Sequence, residues 1–274
     1  MPITTLDGAI AGFQTPQPII KTGIGMAAVG AMRGYTPWYA AGSPGASTAT
    51  SIGVNGEAAT PALASTGGRI LRTNPAGGVN AHLGRLSINA SQPGTLWLID
   101  RLWQNSGLSV TSTAGQAITS ATLPARDGNG ATLGANVLAA VEWSATGGAG
   151  TPTVTLNYND QDGNAGTGTL TGVASPPVGT FEVFTLGAGD TGIRSLTSAS
   201  SFQQSATRTS GTMHLVLFRV LAQVEVTSAN IGNAVDALTS GMPRVYNDSV
   251  LQLVWFPSST TATNFFGTYT ETQG

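Results

Sequence analysis

Short runs of alternating apolar and polar residues, separated by Gly, Asn, Asp and Pro, fill the chain from about residue 81 onward. A side-chain period of two is typical of β-strands that turn one face toward a core; Val137, Ala139, Val141 and Trp143 share one such face. The pattern predicts ten strands, at 85–90, 95–102, 116–123, 137–144, 154–158, 167–173, 180–186, 193–202, 212–226 and 250–256. Strands of this length and spacing favour an all-β fold, an antiparallel sandwich or jelly-roll-like domain over residues 81–257.

Helical periodicity is scarce. Ser228 is a candidate cap, and Ile231, Val235 and Leu238 follow it at helical spacing. We therefore predict one helix, over 228–238, lying across one end of the sandwich.

The two ends of the chain lack a sustained period. Residues 1–80 are rich in Gly and Pro and are predicted to form an extended arm. Residues 258–274 are rich in Thr, Ser and Gly and carry Phe265, Phe266 and Tyr269. We expect this segment to be a C-terminal tail that becomes ordered by docking.

The composition adds a second clue. Only 9% of the 274 residues are charged, where ordinary globular chains have about 25%. A weakly charged exterior favours association, so we expect part of it to be covered by other copies of the chain or by another protein. The hydrophobic fraction of 41% is too high for a disordered chain.

The same numbers exclude several classes of function. A net charge of −2 with a single lysine, Lys21, cannot supply the clustered positive field that nucleic-acid binding needs. The absence of cysteine excludes disulfides, thiolate metal sites and cysteine nucleophiles. No apolar run approaches the ~20 residues of a membrane-spanning helix, and we expect no membrane association.

Three Gly- or Asp-rich motifs partly match known ligand loops. The segment 160–164 begins like a calcium loop, but Ala165 and Thr171 stand where that loop needs Gly and Glu. It is therefore predicted to be a hairpin loop, and 127–130, which reads Asp-Gly-Asn-Gly, a turn. The glycines at 23–30 complete no phosphate-binding motif. We predict no metal site and no cofactor.

Catalytic candidates are few. The chain has two histidines, His82 and His214, and a structural role within a strand is the simpler interpretation of His214. Asp100, Glu142 and Glu182 fall on or near predicted strands and leave a carboxylate-pair glycosidase as a minor alternative. No catalytic residue is assigned.

Two aromatic groups are candidates for a partner interface, where Trp, Tyr and Arg are enriched. One is Tyr35, Trp38 and Tyr39 in the arm. The other is Trp97, Arg101 and Trp103, which together with Ile99 are predicted to share one face of a strand. The alternative for both groups is packing within the domain.

Four segments together carry a resemblance to a known family: 94–107 (GTLWLIDRLWQNSG), 123–130 (LPARDGNG), 189–195 (GDTGIRS) and 209–219 (TSGTMHLVLFR). Together they resemble a family of tailed-bacteriophage virion proteins, over about residues 80 to 225. The resemblance implies a β-rich, non-enzymatic head decoration or cement protein on the capsid exterior, with the major capsid protein as partner, and it carries no catalytic residues.

On this basis we expect a homo-oligomer, a trimer or a dimer, whose arm spreads over neighbouring capsid subunits. The alternative is a tail, fibre or receptor-binding module in which Trp97, Trp103 or Trp143 stacks on host sugars; an enzyme ranks third.

Overall fold

The computed structural model describes residue 3 and residues 5–24, 33–61, 67–119, 122–197 and 199–274. It is nearly all β, with 44% strand and 4% helix and with antiparallel pairing throughout. The helical elements are α1 (Leu6–Ala11) and a 3₁₀ turn (Pro37–Tyr39). The first half contains strands β1 (Gln17–Ile24), β2 (Gly34–Tyr35), β3 (Gly42–Ser43), β4 (Glu57–Ala58), β5 (Ala81–Ala90), β6 (Gly94–Gln104) and β7 (Leu138–Ala145). The second half contains β8 (Thr153–Asp160), β9 (Ala165–Thr171), β10 (Thr180–Val183), β11 (Ile193–Leu196), β12 (Phe202–Gln204), β13 (Thr212–Val226), β14 (Asn233–Asp236), β15 (Arg244–Val245), β16 (Leu251–Pro257) and β17 (Thr263–Gln273).

A closed barrel lies at the centre. Six strands pair in the ring β13, β7, β10, β2, β16 and β6, and β6 returns to β13. The barrel closes because β13 is long enough, at 15 residues, to pair with β7 along one edge and with β6 along the other. A barrel has no free edge over the closed stretch.

Two further sheets cover the barrel. One, which we call the outer sheet, has the order β14, β5, β17, β1 and β3, with β15 also on β5. Its inner face and the outward leucines of β6 and β16 form one core, which includes Ile19, Leu86, Leu98, Leu253 and Trp255. The other sheet, of β8, β9, β11 and β12, forms a second core with β7 and β13.

The sequence pattern located most of this β structure. The all-β antiparallel prediction is confirmed, and the strand predicted at 212–226 has those bounds. Val137, Ala139, Val141 and Trp143 do face one core. At 116–123 the structure shows only an isolated bridge from Gln116 to Phe202, with residues 120 and 121 outside the described residues.

The predicted helix at 228–238 is wrong. Asn230 has a positive φ of 61°, Gly232 follows, and Asn233–Asp236 forms β14 on the edge of β5. Ile231 and Leu238, two of the residues at helical spacing, are 60% and 79% exposed. Pairing with an open strand edge satisfies the backbone of this segment, which a single short helix with a glycine inside would do poorly.

Both chain ends also differ from expectation. The segment expected to be a tail contains β17, which pairs with β5 from Phe265 to Gln273 and with β1 on its other side. The arm contributes β1, β2, β3 and β4 to the sheets. The accessible surface of 10,668 Å² matches the roughly 11,000 Å² expected for a compact chain of this mass. The described arm residues therefore lie against the domain. No helix in the described part of the chain is long and apolar enough to cross a membrane.

Candidate functional site

The barrel interior is divided into an apolar half and a polar half. Ile99, Phe181, Phe218 and Val254 fill the apolar half. The polar half is a group that we call the barrel-core cluster: Thr36, Tyr39, Arg101, Gln104, Glu142 and Gln252. Cross-strand pairing places them on the inward face, because Phe218 lies opposite Arg101 and Phe181 opposite Glu142.

A buried ion pair is the centre of this cluster. Arg101 Nη1 donates to Glu142 Oε2 at 2.8 Å, and neither side chain has any exposed surface. Gln252 Nε2 donates to Glu142 Oε1 at 2.6 Å, and the Tyr39 hydroxyl donates to Oε2 at 3.0 Å. Both carboxylate oxygens are thus occupied by donors from three different parts of the chain.

A bulge in β6 decides which side chains face inward. The register with β13 passes from Arg101 opposite Phe218 to Trp103 opposite Leu217, so Leu102 is the extra residue. A bulge changes the alternation of side chains along a strand. Leu102 and Trp103 both lie outside the barrel, in the core that the second sheet forms with β7 and β13. Arg101 points into the barrel, where its Nε donates to Gln104 Oε1 at 2.7 Å. The predicted common face of Trp97, Ile99, Arg101 and Trp103 is therefore broken at Trp103.

The six predicted interface residues lie mostly inside the molecule. Arg101 and Trp103 are fully buried, Trp38 and Tyr35 are 4% and 7% exposed, and Tyr39 is half-buried. The Trp38 ring lies 5.3 Å from the Arg101 guanidinium carbon, and Trp97, half-buried, packs on Phe256 with ring centroids 4.5 Å apart. In the folded chain these residues pack the domain, and the enclosed ones have no face to offer a partner.

Burial and charge set the protonation of the cluster. Burial opposes the charged form of Glu142, but the charge of Arg101 and the hydrogen bonds from Arg101 and Gln252 outweigh it, so the pKa of Glu142 lies below its ordinary value. Burial, with the nearby Glu142 charge, raises the pKa of Tyr39 well above its ordinary value, so Tyr39 remains a donor. The cluster therefore holds a carboxylate, a guanidinium and a neutral phenol.

His214 lies on the same inward face, opposite Glu142. Its Nδ1 is 2.8 Å from the Asn105 carbonyl oxygen and its Nε2 is 2.6 Å from Ser144 Oγ. Burial lowers the pKa of His214, which favours the neutral ring. His82 Nδ1 lies 3.0 Å from the Met242 carbonyl oxygen. Both histidines are thus held by neighbouring protein groups.

The other two candidate carboxylates lie in separate clusters. Asp100, on the outward face of β6, accepts from Ser249 Oγ at 2.7 Å and lies 3.4 Å from Arg219 Nη2. Glu182 accepts from Trp143 Nε1 at 2.9 Å and from the Val173 amide at 2.8 Å, and burial raises its pKa. Asp100, Glu142 and Glu182 therefore do not converge on one site.

The segment 123–130 is a structural anchor. Arg126 Nη2 donates to the carbonyl oxygens of Ala59 and Arg101, and its Nη1 donates to that of Asp248. The fully buried Asp127 carboxylate accepts five backbone N–H groups between Asn129 and Ala135. The sequence indicated the turn, but its Asp-Gly-Asn-Gly chemistry did not show that the aspartate would be buried.

The segment 160–164 is a hairpin loop between β8 and β9, as predicted. Asp160 Oδ1 accepts from the amides of Asp162 and Asn164 at 2.9 and 2.8 Å. Within the described ranges no group of three or more His, Asp and Glu side chains could hold a metal ion. The loop carboxylate therefore serves the turn.

Sequence reasoning missed the barrel-core cluster as a unit. The sequence did contain a signal for it. Glu142 lies on the face of its strand opposite the apolar face of Val141 and Trp143, and a carboxylate buried between two cores requires buried partners.

No protein-family model matches the chain, and no curated protein matches it in sequence.

Proposed function

We propose that the chain is a non-enzymatic structural protein of a tailed-phage virion that decorates the capsid exterior and binds across major capsid protein subunits as a homo-oligomer, a trimer or a dimer. The observation that carries the proposal is the surface, which has few charged side chains and carries a cluster of exposed apolar side chains. The resemblance of residues 80 to 225 to phage virion proteins is the reason for proposing a phage capsid as the particle and the major capsid protein as the partner.

Folding removes half of the scarce charges from the surface. Eleven of the 24 charged residues are buried, and the side chain of Arg72, which pairs with Glu271, is 3% exposed. Twelve charged side chains therefore remain on 10,668 Å² of accessible surface. The eleven buried residues are Lys21, Asp100, Arg101, Arg126, Asp127, Glu142, Asp160, Glu182, Arg208, Arg219 and Glu271. A surface of this kind favours association over dispersal in water.

An apolar patch marks one place for that association. In helix α1, Leu6 and Ile10 lie four residues apart on one face, and each is 59% exposed. Leu238, 79% exposed, and Met242 line one cavity with Leu6 and Ile3. We call Ile3, Leu6, Ile10, Leu238 and Met242 the N-terminal patch. A surface helix ordinarily turns its apolar face inward, so the outward face of α1 is suited to a protein partner.

In this proposal the protein attaches to the capsid through the N-terminal patch, and not through an arm that spreads over neighbouring capsid subunits. The arm strand β1 pairs with β17, and the Thr36 hydroxyl donates to the Leu253 carbonyl oxygen at 3.0 Å. Releasing them would cost these hydrogen bonds and expose Ile19 and Ile24, which are buried. Repetition over a capsid lattice then converts modest contacts into high avidity.

The fate of the titratable groups supports a non-enzymatic role. Glu142 and His214 are inside the barrel, and Asp100 and Glu182 are occupied by arginine, serine, indole and amide partners. Each of these four titratable side chains makes structural contacts within the described fold.

Addition of the purified chain to capsids that lack it tests the proposal. Binding is measured by cosedimentation, and the oligomeric state by analytical ultracentrifugation. We expect saturable addition that weakens at least tenfold when Leu6→Gln and Leu238→Gln are combined. The matched control combines Leu71→Gln and Leu133→Gln, which change leucines that are 58% and 48% exposed elsewhere.

The outcomes separate the claims. A chain that stays monomeric and never adds to capsids would refute the decoration role. Equal loss in the patch variant and in the control would refute the N-terminal patch as the contact.

A further inference from the structure

A shallow groove lies on the solvent-facing side of the outer sheet. Its volume is about 480 Å³, its floor is β5, and Phe266 of β17 and the start of β14 form its walls. We call it the β5 groove. Its lining includes Arg85, Ser87, Asn89, Asn233 and Phe266 and shares no residue with the N-terminal patch.

The backbone of the groove floor is already paired. Residues 85–88 of β5 are in register with β14 on one side and with β17 on the other. A peptide that binds by strand addition needs a free edge, and the floor has none. A ligand in this groove is therefore bound by side chains and not by backbone hydrogen bonds.

Phe266 supplies a flat apolar surface. Its side chain is 53% exposed and lies opposite Asn89 across the β17–β5 pair. An exposed phenylalanine beside amide and hydroxyl groups offers an apolar face together with hydrogen-bonding groups. That combination is complementary to the C–H face and the hydroxyl groups of a pyranose ring.

Two polar side chains are held in place beside this ring. Asn89 Nδ2 donates to the Asn230 carbonyl oxygen at 3.3 Å, and Ser87 Oγ is 2.8 Å from Thr268 Oγ1. These contacts orient the side chains and leave acceptor capacity on both, since an amide oxygen and a hydroxyl each accept further donors.

Arg85 gives the groove its charge preference. It is exposed, and among the described residues its guanidinium has no hydrogen-bond or ion-pair partner. Asp236 is opposite it, but Oδ1 of Asp236 accepts from Thr239 and from the Leu238 amide within its own turn. No other charged residue lines the described groove, so a ligand with a negative group complements it.

We propose that the β5 groove binds an acidic oligosaccharide. Phe266 stacks on one sugar ring, Asn89 and Ser87 bind hydroxyl groups, and Arg85 pairs with the carboxylate of a uronic or sialic acid residue. Arg85 and Asn89 are four residues apart on one strand, which is about 14 Å, so the site fits a short oligosaccharide better than a single sugar. This proposal does not depend on attachment to capsids.

Titration of the purified full chain by calorimetry tests the site. The acidic probes are sialyllactose and trigalacturonate, their neutral counterparts are lactose and maltotriose, and pentaglutamate represents an acidic peptide. We expect at least one acidic sugar to bind tenfold or more tightly than its neutral counterpart, with an affinity that falls as salt is added.

Two variants and two matched controls assign the contacts. Arg85→Gln is expected to abolish the preference for the acidic sugar, and Phe266→Ala to weaken its binding at least fivefold. Arg194→Gln, at another exposed arginine, and Ile20→Ala, at the exposed residue beside Phe266 in β1, are expected to leave affinity unchanged. All four sites are exposed, and circular dichroism verifies the fold.

Three results would overturn the proposal: no acidic sugar binds at millimolar concentration, Arg85→Gln retains the full preference, or pentaglutamate binds as tightly as the sugars and independently of Phe266. Failure of capsid addition in the separate cosedimentation experiment would leave this site untouched.

Discussion

Replacing Glu142 by Gln isolates the contribution of the buried ion pair. The substitution keeps the size of the side chain but removes the charge that faces Arg101 Nη1 at 2.8 Å. Three side-chain donors converge on the carboxylate, from Tyr39, Arg101 and Gln252, and an amide offers one acceptor oxygen in place of two. Because removal of one partner leaves an uncompensated charge in a fully buried position, we expect Glu142→Gln to lower the free energy of unfolding by about 3–5 kcal/mol.

The double variant Arg101→Met with Glu142→Gln separates charge from shape. It removes both charges, so its loss is expected to be smaller than the sum of the single losses by at least about 2 kcal/mol. Urea unfolding followed by circular dichroism measures each free energy, with the denaturant slope checked for constancy. Glu225→Gln, on an exposed side chain of β13, is the matched control and is expected to change stability by less than about 0.5 kcal/mol.

Acid supplies an independent check on the same carboxylate. Because the folded pKa of Glu142 lies below its ordinary value of 4.5, its stabilising contribution is present above pH 4.5 and is lost as pH falls through the folded pKa. Glu142→Gln should therefore flatten the pH dependence of stability below 4.5. A single-variant loss below about 1 kcal/mol, or strict additivity in the double variant, would refute the view that this ion pair organises the barrel interior.

Four further predictions follow from the described contacts. Lys21, the single lysine, is 1% exposed, so an amine-acylating reagent should modify it only on unfolding, as read by mass spectrometry; rapid modification of the native chain would mean that β1 is free of the sheet. Trp38→Ala should cost about 3–5 kcal/mol, because Trp38 packs with Ala59 and Val250 over Arg101; a fully stable variant that loses capsid addition would instead make Trp38 a partner anchor. His214 has a pKa lowered from 6.5 by burial, so its contribution is present above pH 6.5 and is lost as pH falls toward the folded pKa; His214→Gln should reduce the loss of stability between pH 7 and 5, and an unchanged loss would contradict this. Asp127→Asn should cost about 2–4 kcal/mol, since several of five backbone donors lose a charged acceptor, whereas the exposed control Asp162→Asn should cost less than about 0.5 kcal/mol in the same urea assay.

Local patterns in the sequence were sufficient to locate most strands and two of the turns. Alternation of apolar residues placed β7 and the whole of β13, and the Asp- and Gly-rich segments at 127–130 and 160–164 are turns as predicted. These features depend on neighbours within a few residues, because side-chain period and turn chemistry are local properties of the backbone. The scarcity of charge was likewise a property of the composition alone.

Tertiary structure decided what each strand faces. Barrel closure brings β6 against β13, more than 100 residues away in the chain, and the bulge at Leu102 sends Arg101 and Trp103 to opposite sides of β6. Sheet pairing also joins β1 and β17 from the two ends of the chain, although β17 has a Thr- and Gly-rich sequence that is typical of a tail. The roles of Arg101, Glu142 and Trp38 therefore depended on contacts between distant segments, because desolvation of a charge and pairing of a strand edge are set by neighbours that only the folded chain brings together.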